Sequence, residues 1–411
     1  MPNSFRMKAT LVILVAILVR SVFVVAVDKG MVKVEVNPDS SDLLSFAYNL
    51  ATGVGFAHSV NEDLPFSQPV EFSAWRPPLY PAFVAIAFQF SRNTLFLRML
   101  QVALAAFSLY FFLRLGLILI GESAALISGL AFALYPPLIW YSADLGTESL
   151  FLFLLTAVLF GFYETGRERS QVQVFWLGVL VGLAALCRPN GLMLAPALAL
   201  AIWLTGRDWR LAIRRGIVLG FAVTMIVLPW TYRNYRLFHK VALISTNAGA
   251  TLWAGAHLRI EQGASLAEVG YSQHQAFRGV SEPDREQYYY RQAFLILDHN
   301  PGRWGKLVLS NFAAMYALDP SAQYHGLRNR LIYSVSYIPL LVSGAVGFCL
   351  LRPRWRELTL LWGWLLTNTM LYCLFLSSIR YRIPTVDPIL MLGTGVCVAA
   401  LLVSSRGTRQ C

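Results

Sequence analysis

Charged residues are scarce in this chain. Asp, Glu, Lys and Arg make up 14% of its 411 residues, against 56% hydrophobic. A soluble domain carries about a quarter charged residues, so the composition excludes a water-soluble globule. It points to one membrane-embedded body with a limited soluble part. Cysteine is scarce too: Cys187, Cys349, Cys373, Cys397 and Cys411 form no CxxC, which leaves neither a zinc-site nor a disulfide-framework pattern. The six histidines (58, 239, 257, 274, 299, 325) are scattered and make no HExxH pair. Internal repeats and low-complexity linkers are also lacking. What charge there is leans one way, +12 from 34 Lys+Arg against 22 Asp+Glu. A nucleic-acid partner would need a basic stripe on a soluble face, and none is present, so in a chain this apolar the excess reads as an orientation signal.

Long apolar runs are plentiful. A transmembrane helix needs about 20 largely apolar residues, and ten runs qualify: approximately 8–27, 95–117, 123–141, 147–165, 172–187, 190–205, 214–231, 331–351, 358–377 and 383–404. The first follows Arg6 and Lys8 like a signal peptide. However, Arg20 interrupts it and no small-x-small cleavage site follows, so a retained helix is expected. An eleventh stretch, 79–90, would be about 18 Å long as a helix, too short for a core of about 30 Å. Treated as non-spanning, it lets the arginines sort cleanly. The short inner segments then hold 14 basic residues and five acids, nine of the net twelve positive charges. Counted as spanning, it would send every later arginine cluster outside. The expected topology is therefore ten spans with both ends cytoplasmic, and 79–90 lying on the outer leaflet. Two outward regions are long enough for chemistry, about 28–94 and about 232–328. In the second, 286–299 has helical apolar spacing that stops at Asn300-Pro301-Gly302, and 304–318 is a second amphipathic stretch.

This topology gathers unusual polar residues on one face. Asp39 opens a helix-like stretch, 40–50, where a plain N-cap is an equal reading. Glu148 begins the run 147–165 at its outer end, where a helix-start acid suits the macrodipole. Arg188 lies between two spans, where the positive-inside rule disfavours it. Arg380 and Arg382 precede the last span, also outside. Arg20 sits about 10 Å below the outer end of the first span by helical rise, and an ionisable group at such depth is a functional candidate by default, a structural partner being the alternative. Tyr288-Tyr289-Tyr290 and Trp304 could stack a sugar, but interface aromatics are more often membrane anchors. Asp387, near the outer end of the last span, is expected to bond locally or pair with an arginine. Arginines beside a membrane surface suit a lipid-linked phosphate, because the guanidinium fork binds phosphate oxygens bidentately. A carboxylate within reach of a hydroxyl can serve as general base. The chemistry suggested is transfer from a lipid phosphate or pyrophosphate to a hydroxyl.

Short motifs carry a resemblance. Pro38-Asp39-Ser40, Phe46-Ala47-Tyr48-Asn49-Leu50, Gly53-Val54-Gly55-Phe56 and Arg76-Pro77-Pro78-Leu79-Tyr80-Pro81 are similar to the first external loop of GT-C superfamily glycosyltransferases. Within it the likeness is to bacterial members related to protein O-mannosyltransferases and the lipid A aminoarabinose transferase. It continues at Arg98-Met99-Leu100-Gln101, Thr147-Glu148-Ser149, Cys187-Arg188-Pro189, Trp230-Thr231-Tyr232-Arg233-Asn234, Ser245-Thr246-Asn247-Ala248-Gly249 and Arg380-Tyr381-Arg382-Ile383-Pro384, over nearly the whole chain.

The resemblance implies an all-α polytopic membrane protein, a GT-C-like bundle of about ten transmembrane helices with juxtamembrane helices in the first external loop. It implies inverting transfer of a sugar from a polyprenyl-phosphate donor to a hydroxyl acceptor, on the outer face of a bacterial inner membrane. Asp39 matches the catalytic base and Glu148 the second acid; Arg188, Arg380 and Arg382 match the donor-phosphate side, with Asp42, Arg20, Arg76 and Tyr80 as support. The chain departs from the pattern at Leu43, where an aromatic is usual, and Asp42 adds an acid that competes with Asp39 for the role of base. No cofactor is expected; a divalent metal used by some relatives has no supporting ligand cluster here. The expected division is 1–232 as catalytic membrane module, 233–328 as external loop region and 329–411 as C-terminal helices. A flippase for lipid-linked sugars would use the same arginines, but would tend to place polar or broken helices near the midplane. A polysaccharide polymerase or ligase would draw on the large loop, which carries Arg259, His274 and Arg278.

Overall fold

The computed structural model describes residues 2–32, 38–59, 70–206, 208–261, 280–319 and 326–407. It is a bundle of α-helices with one two-stranded antiparallel ribbon, Ala57–Ser59 against Val70–Phe72, in the first loop. Each of the ten apolar runs is helical, the third and sixth in two pieces. Among the described residues, five helices are long and apolar enough to cross a membrane: Asn3–Asp28, Thr94–Ile120, Trp209–Phe238, Leu327–Leu350 and Asp387–Ser404. The others are shorter, such as Glu148–Glu164 and Gln171–Cys187. Large apolar side chains on the outer surface, among them Leu11, Leu14, Leu18 and Phe221, are more than half exposed. In a water-soluble protein they would be aggregation sites; in lipid they are the solvated face. The protein is therefore membrane-embedded.

Local chemistry sets the breaks. Gly121, at φ 81°, ends Thr94–Ile120 and turns the chain into Glu122–Leu134; a side chain is rarely tolerated there. Pro136-Pro137 stops Glu122–Leu134, because proline cannot donate to the preceding turn, and a five-residue helix, Pro136–Trp140, follows. The carbonyls left over at that break are bonded by Arg20, whose Nη1 donates to Ala133 O (2.7 Å) and whose Nη2 donates to Phe132 O (3.0 Å). Arg20 thus caps a helix inside the bundle, the structural alternative weighed for it. Gln171–Cys187 opens on a capping box made by Ser170 and Gln173. The helices Leu327–Leu350 and Asp387–Gly407 meet backbone to backbone: a Cβ on Gly347 would stand 1.8 Å from Gly393 O. Small residues allow this approach between membrane helices.

The basic segments collect at one end of the bundle. There Lys8 pairs with Glu122 (3.1 Å) and Arg114 with Glu164 (2.6 Å). Arg354 reaches Leu119 O (2.7 Å), and Arg215 donates to Arg169 O (2.5 Å). The first loop packs on the opposite end. Its helix Pro38–Ala51 lies on the short helix Leu79–Phe88, which is ten residues long against the twelve expected. Phe46 stacks on Phe56 (4.4 Å between ring centres), and Asn49 Nδ2 donates to Ala57 O (2.9 Å).

The large loop supplies helices Ala248–Ala256, Glu282–Asp298 and Pro301–Met315. Tyr289 is buried among them and meets Trp253 at 5.4 Å, so two of the loop's aromatics form core rather than a free platform. The two loops are latched together. The Glu282 carboxylate accepts from Ser73 Oγ, Ala74 N (2.8 Å) and Thr246 Oγ1 (2.8 Å). Arg233 donates to Ser73 O (2.7 Å) and Phe56 O (3.0 Å).

Candidate functional site

Five segments meet at the end of the bundle opposite the basic clusters. Asp39 and Asp42 come from the first turns of Pro38–Ala51, which begins at Pro38, so Asp39 lies inside the helix rather than ahead of it. Arg76 follows the ribbon and stands just before Leu79–Phe88. Glu148 starts Glu148–Glu164. Arg188 is the extended residue between Gln171–Cys187 and the 3-10 turn Pro189–Met193, with φ −146°. Arg380 lies in a single helical turn, Ile379–Arg382.

These six side chains form a line of alternating charge. Arg76 donates to Asp42 Oδ2 through Nη2 (2.7 Å) and Nε (3.2 Å), and through Nη2 to Asp39 Oδ1 (2.5 Å). Asp39 Oδ2 accepts from Arg380 Nη1 at 2.5 Å. Arg380 Nε donates to Glu148 Oε1 at 2.7 Å, and Arg188 Nη1 donates to the same oxygen at 3.0 Å. Burial deepens along the line: the Asp39 side chain is 30% exposed and that of Glu148 only 2%. Among these six side chains three acids balance three arginines, so their formal charges cancel. The Glu148 Oε2 atom is buried without a hydrogen-bond partner among the described residues. A Cβ on Gly146 would stand 2.4 Å from it, so glycine at 146 makes room for this carboxylate.

The electrostatics of Asp39 follow from its neighbours. Burial favours the neutral acid, but the Arg76 and Arg380 guanidiniums outweigh it and hold the carboxyl below the usual range. Its place in the first turn of a helix acts in the same direction. Asp39 is therefore ionised, and clamped while it remains so. Each of the three acids is engaged by arginine, the reverse of the surroundings that a divalent cation requires. Among the described residues, no group of three or more His, Cys, Asp or Glu could hold a metal ion.

Not every expected residue joins the line. Arg382 is fully buried and faces away. It makes a fork with Asp387 (Nε to Oδ1 2.7 Å, Nη2 to Oδ2 3.3 Å), donates to Met315 O (3.1 Å) and lies 3.4 Å over the Tyr337 ring. Tyr135 completes the site by donating to Asp387 Oδ2 at 2.8 Å. So Asp387 does pair with an arginine, and that arginine has no hand free for a phosphate at the cluster. Tyr80 is buried and bonds Gln101 Oε1 (3.2 Å), while Gln101 Nε2 donates to Asp144 O (2.8 Å). Ser40 reaches Asp144 as well (3.2 Å). Tyr80 thereby fixes the loop leading into Glu148 without touching the line of charges. Arg259 donates to Ser377 O (3.2 Å), behind the cluster; His274 and Arg278 lie outside the described residues. Asp144, Gly146 and Gln101 received no role from the sequence. Their only signal was adjacency to Glu148 or membership of a quoted motif.

An apolar groove is lined by Pro78, Leu79, Ala82, Leu186, Ile226 and Trp230. Leu79 is three residues after Arg76, and Leu186 two before Arg188.

Residues 75–232 match the family described as dolichyl-phosphate-mannose-protein mannosyltransferase. Among curated proteins, none matches in sequence. The fold is that of the oligosaccharyltransferase of Archaeoglobus fulgidus. The apo form superposes with a TM-score of 0.60 at 12% identity, over 98% of this chain and 51% of that one. The same protein in complex with an inhibitory peptide and a dolichol-phosphate gives 0.59 at 12% identity, with the same shares. This chain thus spans about half the length of that transferase. ArnT from Cupriavidus metallidurans, bound to undecaprenyl phosphate, aligns over 94% of this chain and 77% of that one at 14% identity, with a TM-score of 0.46. The resemblance to GT-C glycosyltransferases drawn from short motifs is borne out in fold and in the matched segment.

Proposed function

We propose that this chain is an inverting glycosyltransferase that moves a sugar from a polyprenyl phosphate to a hydroxyl acceptor at the surface of a membrane. The observation that carries the reading is Asp39, an ionised carboxylate with one oxygen on Arg76 and the other on Arg380, placed where Arg380 also meets Glu148 and Arg188. The matched mannosyltransferase segment and the shared fold support it.

In the proposed reaction the lipid phosphate enters as a new anion and takes Arg380 and Arg188, which present guanidinium N–H groups suited to phosphate oxygens. Asp39 loses the Arg380 half of its clamp and becomes more basic. The acceptor hydroxyl then gives its proton to Asp39 as its oxygen attacks the anomeric carbon. The bond between that carbon and the phosphate oxygen breaks, and its electron pair leaves on the lipid phosphate, which needs no general acid. One displacement inverts the anomeric centre. Glu148 holds both arginines and orients the donor or acceptor. Arg76 retains Asp39 and keeps Asp42 engaged, which favours Asp39 over Asp42 as the base.

The topology belongs to the same proposal: ten spans, the basic end and both termini at the cytoplasmic side, and the line of charges at the outer face of a bacterial inner membrane. The groove from Leu79 to Trp230 would take the first part of the polyprenyl chain, since it is apolar and two of its lining residues, Leu79 and Leu186, are close in sequence to Arg76 and Arg188. The catalytic module of residues 1–232 then borrows Arg380 from the C-terminal helices 329–411, while 233–328 latches the first loop. The acceptor is a lipid, a glycan or a protein.

The test is Asp39→Asn in a purified, single-protein reaction that follows donor consumption. Transfer should be lost while the protein stays folded; near-normal turnover would overturn the assignment. Formation of product by the purified wild type also separates an enzyme from a flippase. Mass spectrometry of lipid-linked sugars and surface glycans in a deletion strain would name both substrates.

A further inference from the structure

Arg188 and Arg380 put two positive charges on one oxygen of Glu148. The two arginines sit on separate segments, so their convergence on that oxygen depends on how the segments are held relative to one another. Helix Thr359–Leu374 runs between them and carries Asn368, which is fully buried. Asn368 Oδ1 accepts from Asn190 Nδ2 at 2.9 Å, and Asn368 Nδ2 donates to Thr385 Oγ1 at 3.1 Å. Asn190 is two residues after Arg188. Thr385 Oγ1 in turn donates to Tyr381 O at 2.6 Å, the carbonyl directly after Arg380, and Trp364 Nε1 donates to Thr385 O at 2.9 Å. One turn along the same helix face, Tyr372 stacks on Tyr381 at 4.6 Å and 9° between planes, and Arg188 lies 5.6 Å over that Tyr381 ring.

We propose that Asn368 is a positioning residue, a neutral clamp that ties the Arg188 segment to the Arg380 segment so that both guanidiniums converge on one point. An amide is suited to this place. It satisfies one donor and one acceptor of the two segments at once, in a buried setting where an unmet polar group is costly, and it adds no charge to a balanced cluster. The link to donor binding rests on the transferase reading above, whereas the placement of Arg380 does not.

The experiment uses the full chain in detergent, comparing wild type with Asn368→Leu and with Thr385→Val. The second variant removes only the hydroxyl, at nearly unchanged shape, and decides the matter if Asn368→Leu does not fold. The first readout is the rate at which phenylglyoxal modifies Arg380, followed by peptide mass spectrometry, with the exposed Arg354 at the other end of the bundle as internal control. Both variants should label Arg380 several-fold faster and leave Arg354 unchanged. A brace that served only stability would lower yield or Tm without this selective change. The second readout is equilibrium binding of undecaprenyl phosphate, expected to weaken about tenfold, the factor for one lost hydrogen bond to a buried partner. Unchanged labelling of Arg380 in folded variants overturns the proposal, and so does faster labelling with unaltered lipid binding. A wild type that binds no polyprenyl phosphate overturns the transferase reading instead, and the labelling rates still decide the clamp.

Discussion

Asp39→Asn separates two effects that a simple loss of function would merge. The substitution keeps the shape of the side chain and removes its charge. If Asp39 takes the acceptor proton, turnover falls by about 10²–10⁴, the range for loss of a general base. The same carboxylate also occupies Arg380 at 2.5 Å and Arg76 at 2.5 Å. Without it, Arg380 loses an anionic partner and is freer to meet a phosphate. These pairs are 19–30% exposed, so each contributes near the upper end of the surface range, about 1 kcal/mol. Relief of one such competitor should tighten binding of undecaprenyl phosphate about fivefold, at RT of about 0.6 kcal/mol. Lower turnover with tighter lipid binding is thus the expected signature. It can be read by single-turnover kinetics and by titration of the lipid into detergent-purified protein. Folded Asp39→Asn protein that binds the lipid more weakly than wild type would refute the idea that the carboxylate and the phosphate compete for Arg380. Stability should fall by about 1–2 kcal/mol for the two partly exposed pairs. The pH dependence follows from the lowered carboxyl: the stability Asp39 adds is complete above its unfolded-state value of about 4 and is lost only as pH falls towards the lower folded value. The gap between wild type and variant should therefore be constant from pH 5 to 8 and close in strong acid.

Other perturbations should follow the same geometry. Arg382→Met leaves Asp387 buried without its ion partner and should destabilise by about 3–5 kcal/mol, whereas Arg382→Met with Asp387→Leu should recover most of that loss; thermal unfolding in detergent measures both. Gly146→Ala places a methyl group 2.4 Å from Glu148 Oε2, so the carboxylate must shift and kcat should drop at least tenfold with little change in expression, read in the transfer assay. In wild type, the acid limb of kcat should lie at higher pH than that of kcat/KM, because bound donor draws Arg380 from Asp39 and raises its basicity; coincident limbs in the two profiles would count against the displacement step.

Much of this arrangement was legible in the chain because two signals are physical and long-range. The ten apolar runs all became helices, since lipid forces the backbone to satisfy itself. The shortness of 79–90 kept it out of the count of runs and left it as the short helix Leu79–Phe88 beside Arg76. Asp39, Glu148, Arg188 and Arg380 could be expected on one face from segment parity alone. Their partners could not. Arg380 and Arg382 share one tetrapeptide, but two residues apart on a helical turn point to different sides. One meets Glu148 and the other Asp387, and nothing in Arg380-Tyr381-Arg382 says which. Arg20 posed the same difficulty. Its role depends on carbonyls freed by Pro136, more than a hundred residues away. Asn368 gave no signal at all, because an isolated asparagine in an apolar helix reads alike whether it bridges two segments or none.

The balance of charge at the two ends of the bundle suggests why such a site is tolerated beside a membrane. At the basic end arginines outnumber acids, and the excess acts as a label for orientation. At the other end the three arginines of the line each have an acid against them: Arg76 has Asp42 and Asp39, Arg380 has Asp39 and Glu148, and Arg188 has Glu148. A neutral line sends no opposing orientation signal and leaves no bare cation to be desolvated. Under the proposed reaction it is also a resting state, in which Asp39 is held idle by the arginines that a donor phosphate would claim. Under the proposed reaction the acids hold the phosphate's place, so arrival of the donor both completes the charge pairing and releases the base. An acceptor that arrived first would find Asp39 still clamped, and the order of binding, donor before acceptor, would follow from electrostatics without any moving lid.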